Sequence, residues 1–407
     1  MPTFARTLLS AAALLLAVTQ PALARTLTLE SALQTAFANN PELAAAQWEI
    51  DIARGGRQQA GLIPNPVASW DVEDTRRDSR TTTVKLTQAL ELGGKRGARI
   101  DVASGAQDAA ALTLEQQRNS LRAEVIDGFY AALRARQRLD LAHRSLALAE
   151  RGQVVADGRV QAGKASPVES TRAQVQVSQT RLEVNSAQVG LTDAYRRLAA
   201  ATGAATTDFQ DVAGQDRPSP ALPPAAQLLA RLEQTAELRL AELKIRQGEA
   251  SLGLEKAQRI PDLDVSIGSQ YDASVRERVN VVGVSMPIPL FNRNQGNILA
   301  ASRRTDQARD LRNATELRLR TETRQALDLW QTAQDEVRAF DQQILPAAQR
   351  AVDSATRGFE MGKFGFLDVL DAQRTLIDAR TQYLAATAQA TDAWVRIERI
   401  YGDLARF

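Results

Sequence analysis

The sequence predicts a mainly α-helical chain with a small transmembrane β part, laid out as a duplicated helix–hairpin–long helix–helix plan. Three observations carry this. The second half repeats the first at a nearly fixed offset, the helices are too long for a compact domain, and four short segments alternate apolar with polar residues. Composition agrees: of 407 residues, 44% are hydrophobic but only 5% aromatic, which suits long helices packed through small side chains. The formal charge of +2 gives no electrostatic case for nucleic acid as a partner.

Residues 1–24, MPTFARTLLSAAALLLAVTQPALA, hold one basic residue (Arg6), an apolar run from Leu8 to Val18, and a small-x-small end at Ala22 to Ala24. They read as a secretory signal peptide, because the run is too short to cross the ~30 Å core of a bilayer. The mature chain lacks cysteine, so it has neither disulfides nor a thiol for a lipid anchor.

Aligned on itself, Ile63-Pro64-Asn65 answers to Ile260-Pro261-Asp262 at an offset of 197 residues, and Gly163-Lys164 to Gly362-Lys363 at 199. The first structural repeat covers 25–207, a Pro-, Gly- and Asp-rich linker 208–224, and the second repeat 225–407. Helices are expected over 29–62, 95–161 and 167–201, then over 224–259, 296–361 and 366–401. The two shorter helices of each repeat, laid end to end, match the long one, which spans about 100 Å. Each repeat is therefore a two-stranded rod. Leu121, Val125, Phe129, Ala132 and Leu139 form a seam in the first, and Leu317, Thr321, Ala326 and Trp330 a less regular one in the second.

Strands are expected at about 66–74, 81–92, 262–272 and 278–290. Leu263, Val265, Ile267 and Tyr271 alternate with polar residues, as do Ala68, Trp70 and Val72, then Val84, Leu86 and Leu90. At ~9–11 residues each strand suits a tilted bilayer crossing. A periplasmic sheet packed on a helix is the alternative. Four strands cannot close a barrel, but three chains give twelve, and the same symmetry closes the rods into a tube.

After the second strand the chain reads Gln88-Ala89-Leu90-Glu91-Leu92-Gly93-Gly94-Lys95-Arg96, and after the fourth Pro287-Ile288-Pro289-Leu290-Phe291-Asn292-Arg293-Asn294-Gln295-Gly296. Gly93, Gly94 and Gly296 free the backbone to turn from strand to helix, and Pro287 and Pro289 end strand pairing. With the duplication, these motifs resemble the TolC-type outer-membrane efflux proteins, at the turns their heavy-metal (CzcC-like) branch. The resemblance implies a homotrimer with a 12-stranded β-barrel in outer-membrane lipid and a long periplasmic α-helical barrel. It also implies a periplasmic adaptor (membrane fusion protein) and an inner-membrane RND pump as partners, in a Gram-negative bacterium. The implied function is a passive exit duct for heavy-metal cations. A duct of the same architecture for drugs or other organic toxicants, or for type I secretion, stays open, as does a periplasmic coiled-coil adaptor.

At the first tip, Gly163 ends the long helix, Ser166 is the N-cap, Pro167 the first helical residue, and Glu169 is expected to complete a capping box. Gly163, Lys164, Gly362, Lys363 and Phe364 are the expected adaptor-contact tips, with Met361 and Phe366 as further apolar groups that either meet the adaptor or pack across the hairpin. Asp368 and Asp371 in Leu367-Asp368-Val369-Leu370-Asp371-Ala372 match the aspartate pair that lines the pore constriction of the family. An acid capping its own helix is the plainer reading of Asp368. Phe364 departs from the best-known duct, which has an arginine there. No catalytic, cofactor or metal site emerges: His143 is the lone histidine, and no nucleophile–base or glycine-loop motif is present.

Overall fold

The computed structural model describes residues 26–215 and 222–405; the expected signal peptide and the middle of the expected linker lie outside the described residues. A short strand, β1 (Thr26–Leu27), leads into α1 (Leu29–Asn39) and α2 (Pro41–Ala60). One helix was expected over this stretch, but the chain breaks at Asn40. Its side-chain oxygen accepts from the N–H groups of Glu42 and Leu43 at 2.9 and 3.0 Å, capping α2. Pro41 explains the break: it has no N–H to extend the first helix, yet suits the first position of the next. Strands β2 (Val67–Glu73) and β3 (Thr81–Leu90) follow, then α3 (Lys95–Gln161), an uninterrupted 67 residues, and α4 (Pro167–Ala201).

The linker carries structure that its composition hides. β4 (Asp211–Val212) pairs in parallel with β1. Phe209 and Val212 fill a core with Leu27, Ile126 and Phe129, and Arg136 of α3 pairs with Asp211. Two-residue strands leave no periodic signal to read.

In the second half come α5 (Ala225–Ala230), a 3-10 turn at Leu232–Gln234, α6 (Ala236–Gln258), β5 (Leu263–Asp272) and β6 (Glu277–Ser285). Then follow α7 (Gln295–Ala339), a π-helical turn at Phe340–Ile344, α8 (Leu345–Glu360) and α9 (Phe366–Tyr401). Of the three helices expected here, 366–401 is unbroken and two are interrupted, the first at Thr235, whose hydroxyl caps α6, and the second at the π turn. Pro346, at the start of α8, lacks the N–H that an unbroken α-helical ladder needs. The fourth strand stops at Ser285, short of the expected 290, because Pro287 and Pro289 cannot donate to a ladder.

The helices lie four abreast. Nearer the strands the order is α2–α3–α6–α7, and nearer the tips it is α4–α3–α9–α8, so α2 with α4 and α6 with α9 stack end to end beside the long members. Buried alanines such as Ala123, Ala132, Ala149 and Ala156 on α3 permit this close side-by-side packing. Leu121, Val125, Phe129 and Ala132 are buried as expected, with Leu139 half-buried. The second seam differs in part: Ala326 is buried and Trp330 half-buried as expected, but Leu317 and Thr321 are exposed, and Leu319, Thr323, Ala333 and Val337 are buried in their place. Thr323 is tolerated inside because its hydroxyl donates to the Leu319 carbonyl at 2.7 Å and lies 3.0 Å from the Tyr401 hydroxyl.

The four longer strands form one antiparallel sheet in the order β2–β3–β5–β6. Both of its edges, β2 and β6, are unpaired among the described residues.

Candidate functional site

The register brings apolar residues of all four strands to one face, leaving Val279 and Val281 of β6 on the other. Trp70 faces Val84, Leu86 faces Ile267, and Ile267 faces Val282, so they share one face. That face is uncovered, with Trp70 72% and Val282 74% exposed. The opposite face carries Asp71, Thr83, Lys85, Ser266 and Gln270. Among the described residues no helix covers the apolar side, which an isolated sheet in water does not tolerate. Among the described residues no helix is long and apolar enough to cross a membrane.

Sheet and rods are joined by two elbows. Gly93 and Gly94 both have positive φ (70° and 75°), and a Cβ on Gly93 would come within 2.9 Å of the Ala257 carbonyl and Ile260. Lys95 donates to Asp262 Oδ1 at 2.7 Å, Arg96 donates to the Gly61 carbonyl at 2.6 Å, and Arg99 pairs with Glu91. These basic side chains therefore tie helix ends and strand starts together. In the second elbow Asn294, not Gly296, takes the left-handed conformation (φ 58°). Its amide donates to the Glu255 carbonyl at 2.8 Å and to that residue's carboxylate at 2.6 Å. Asparagine adopts this conformation more readily than other side-chain-bearing residues, so Gly296 is left as an ordinary residue of α7.

At the tips, the repeated Gly-Lys pair is a repeated helix stop. Gly163 (φ 68°) donates to Val160 O at 2.9 Å and Lys164 N–H to Arg159 O at 2.9 Å. Gly362 (φ 72°) and Lys363 repeat the pattern onto Phe359 O and Gly358 O at 2.9 and 2.8 Å. Both are Schellman turns, in which glycine supplies the left-handed residue. Gly163, Lys164, Gly362, Lys363 and Phe364 are all exposed. Ser166 caps α4 through Val168 N–H at 3.3 Å, but Glu169 does not close the expected box: its Oε2 is buried without a hydrogen-bond partner.

Phe366 is core. Only 3% exposed, it packs with Phe359, Val369 and Leu370 against Ala156 and Ala173 of the first hairpin. Met361 and Phe364 stay open at 63% and 47%, and the Phe364 ring lies where a Cβ on Gly358 would stand. Sequence pattern gave no sign of that glycine's role.

Asp368 and Asp371 are both exposed on α9. Asp368 Oδ2 accepts from Gly365 N–H at 2.8 Å, satisfying the first orphan donor of the helix. Asp371 makes no such cap. Asp378, two turns further along the same face, is exposed as well and was not anticipated. His143 is exposed on α3.

The model of the family described as outer membrane efflux protein matches residues 32–204 and 230–403, one stretch in each half. The cobalt-zinc-cadmium resistance protein CzcC of Cupriavidus metallidurans is 39% identical over 376 residues, covering 92% of this chain and 90% of that protein. The nickel and cobalt resistance protein CnrC of the same organism is 29% identical over 282 residues, 68% of this chain and 67% of the other. Among solved structures, the outer-membrane channel OprN superposes with a TM-score of 0.77 at 21% identity, over 91% of this chain and 89% of that one. CusC superposes at 0.76 and 18% identity, over 93% and 92%. Both repeats, the uncovered apolar sheet and the long rods thus fit one family: the chain belongs to the outer membrane efflux proteins.

Proposed function

We propose that this chain is one third of a homotrimeric outer-membrane duct that releases divalent heavy-metal cations delivered by an adaptor and an RND-type pump. The observation that carries the reading is the sheet: one apolar face without cover, one polar face, and two open edges. Three such sheets joined edge to edge satisfy every ladder group and present the apolar faces to lipid. The helical layers have matching free flanks, with exposed Val168, Val175, Leu182 and Val189 spaced by seven along α4. In this reading Asp368 and Asp371 ring the periplasmic mouth, where carboxylates attract cations. The tip residues Gly163, Lys164, Gly362, Lys363 and Phe364 meet the adaptor, and Met361 adds apolar surface there. The cation assignment rests on likeness to CzcC and CnrC, named for cobalt, zinc, cadmium and nickel resistance.

Deletion of the gene tests this. Tolerance to zinc, cobalt, cadmium or nickel should fall and return on complementation, while tolerance to organic toxicants stays unchanged. Loss of tolerance to organic toxicants alone would assign the duct to another cargo.

A further inference from the structure

A groove runs between the two hairpins on the tip side, walled by α3, α4, α8 and α9. Its apolar wall includes Leu141, Leu148, Val352 and Leu376, and its charged groups are Arg144, Arg151, Arg357, Arg380, Asp353 and Glu360. Four guanidinium groups thus meet two carboxylates, and none of the four is among the ion pairs of the described residues. Arg151 and Arg357 donate from Nε only to carbonyls of their own helices, Ala147 O at 3.3 Å and Asp353 O at 3.2 Å. Asp353 Oδ1 is engaged by the Gln349 amide at 2.9 Å. Two polar atoms of the groove, Arg380 Nε and Thr356 Oγ1, are buried without any hydrogen-bond partner. Such groups are costly to leave unsatisfied.

We propose that this groove binds a small amphipathic anion, its oxyanion head held by Arg144 and Arg380 and its aliphatic body lying tipward along Leu148, Val352 and Leu376. The groove's size of about 670 Å³ suits a ligand of this kind and exceeds what an inorganic ion would fill. An oxyanion accepts from several donors at once, and a guanidinium matches it in geometry as well as charge. Burial, and then the charge of Arg144, push the Arg380 guanidinium below its ordinary value, a cost that a bound anion removes. Arg144 belongs to the first hairpin and Arg380 to the second, so the ligand bridges them. The site is separate from the proposed constriction. At ~100° per residue, Gln373 and Arg380 lie on the side of α9 opposite Asp371 and Asp378. The ligand therefore does not compete with cargo in the lumen.

Octyl phosphate, titrated below its micelle-forming range into the mature protein in lipid nanodiscs, tests the site. Calorimetry should show saturable binding that weakens about ten-fold or more in Arg144→Gln and in Arg380→Gln. Arg144 is exposed, so its variant keeps the fold, which an unchanged melting curve verifies. Octyl glucoside and inorganic phosphate should each bind far more weakly than octyl phosphate. Equal binding of the neutral glucoside, equal binding of inorganic phosphate, or undiminished binding by Arg144→Gln would overturn the proposal.

Discussion

Asp368 and Asp371 stand one turn apart and do different things, as their hydrogen bonds show. Asp368 holds the Gly365 N–H, so Asp368→Ala should destabilise the start of α9 by about 1 kcal/mol, read as faster amide exchange across residues 365–369. Asp371 has no capping role, so Asp371→Asn should leave that exchange unchanged. In planar bilayers the same variant should lower the preference for cations over anions, and an unaltered preference would remove Asp371 from the constriction. A third residue reports on the linker. The Tyr195 hydroxyl donates to Asp211 at 3.2 Å, and burial first, then the Asp211 charge, push its phenol up to about 12 from 10. The folded state favours the protonated phenol. Its stabilising contribution is therefore whole below about pH 10 and is lost as pH rises towards about 12. An ultraviolet titration should show late phenol ionisation whose amplitude Tyr195→Phe reduces, burial of Tyr130 and Tyr401 accounting for the remainder. Position in the motif already set the two aspartates apart, Asp368 falling at the third helical residue where an acid caps its own helix, whereas the Tyr195–Asp211 pair is visible only in the structure.

At the scale of elements, the sequence was legible wherever periodicity ran long. The 67-residue α3, both Gly-Lys tips and the four strands, the last cut short after Ser285, lie where their patterns point, because each depends on local rules of burial face and helix termination. Interruptions were harder. Asn40-Pro41 and the π turn before Pro346 sit inside stretches whose apolar spacing continues across the break. The second seam was partly misplaced because Leu317 looks like core, whereas Thr323, satisfied by Leu319 and Tyr401, does not. The elbows make a sharp prediction. Gly93→Ala forces a Cβ against the Ala257 carbonyl and Ile260 in a left-handed backbone, costing about 1–3 kcal/mol. Gly296→Ala should be neutral or slightly stabilising, since open space surrounds it within α7. Comparing the temperatures at which the assembled species dissociates on a gel separates the two.

For the whole molecule, function lies in what a single chain leaves unfinished. Among the described residues the sheet has two free edges and an apolar face that no helix covers, and the rods have free flanks at α2 with α4 and at α7 with α8. In the proposed ring the same neighbours would remove both deficits. Alternation along the sequence already gives each strand one apolar side; the register adds that these sides coincide, with Trp70, Val84 and Ile267 on one face and Lys85 on the other. The absence of native cysteine makes that sidedness directly measurable. Single cysteines placed at 83, 84, 85 and 86 along β3, in protein reconstituted into liposomes, are exposed to a water-soluble maleimide. The account predicts that Thr83→Cys and Lys85→Cys react from water, while Val84→Cys and Leu86→Cys react only with a lipid-soluble reagent. Uniform reactivity of all four from water would contradict it.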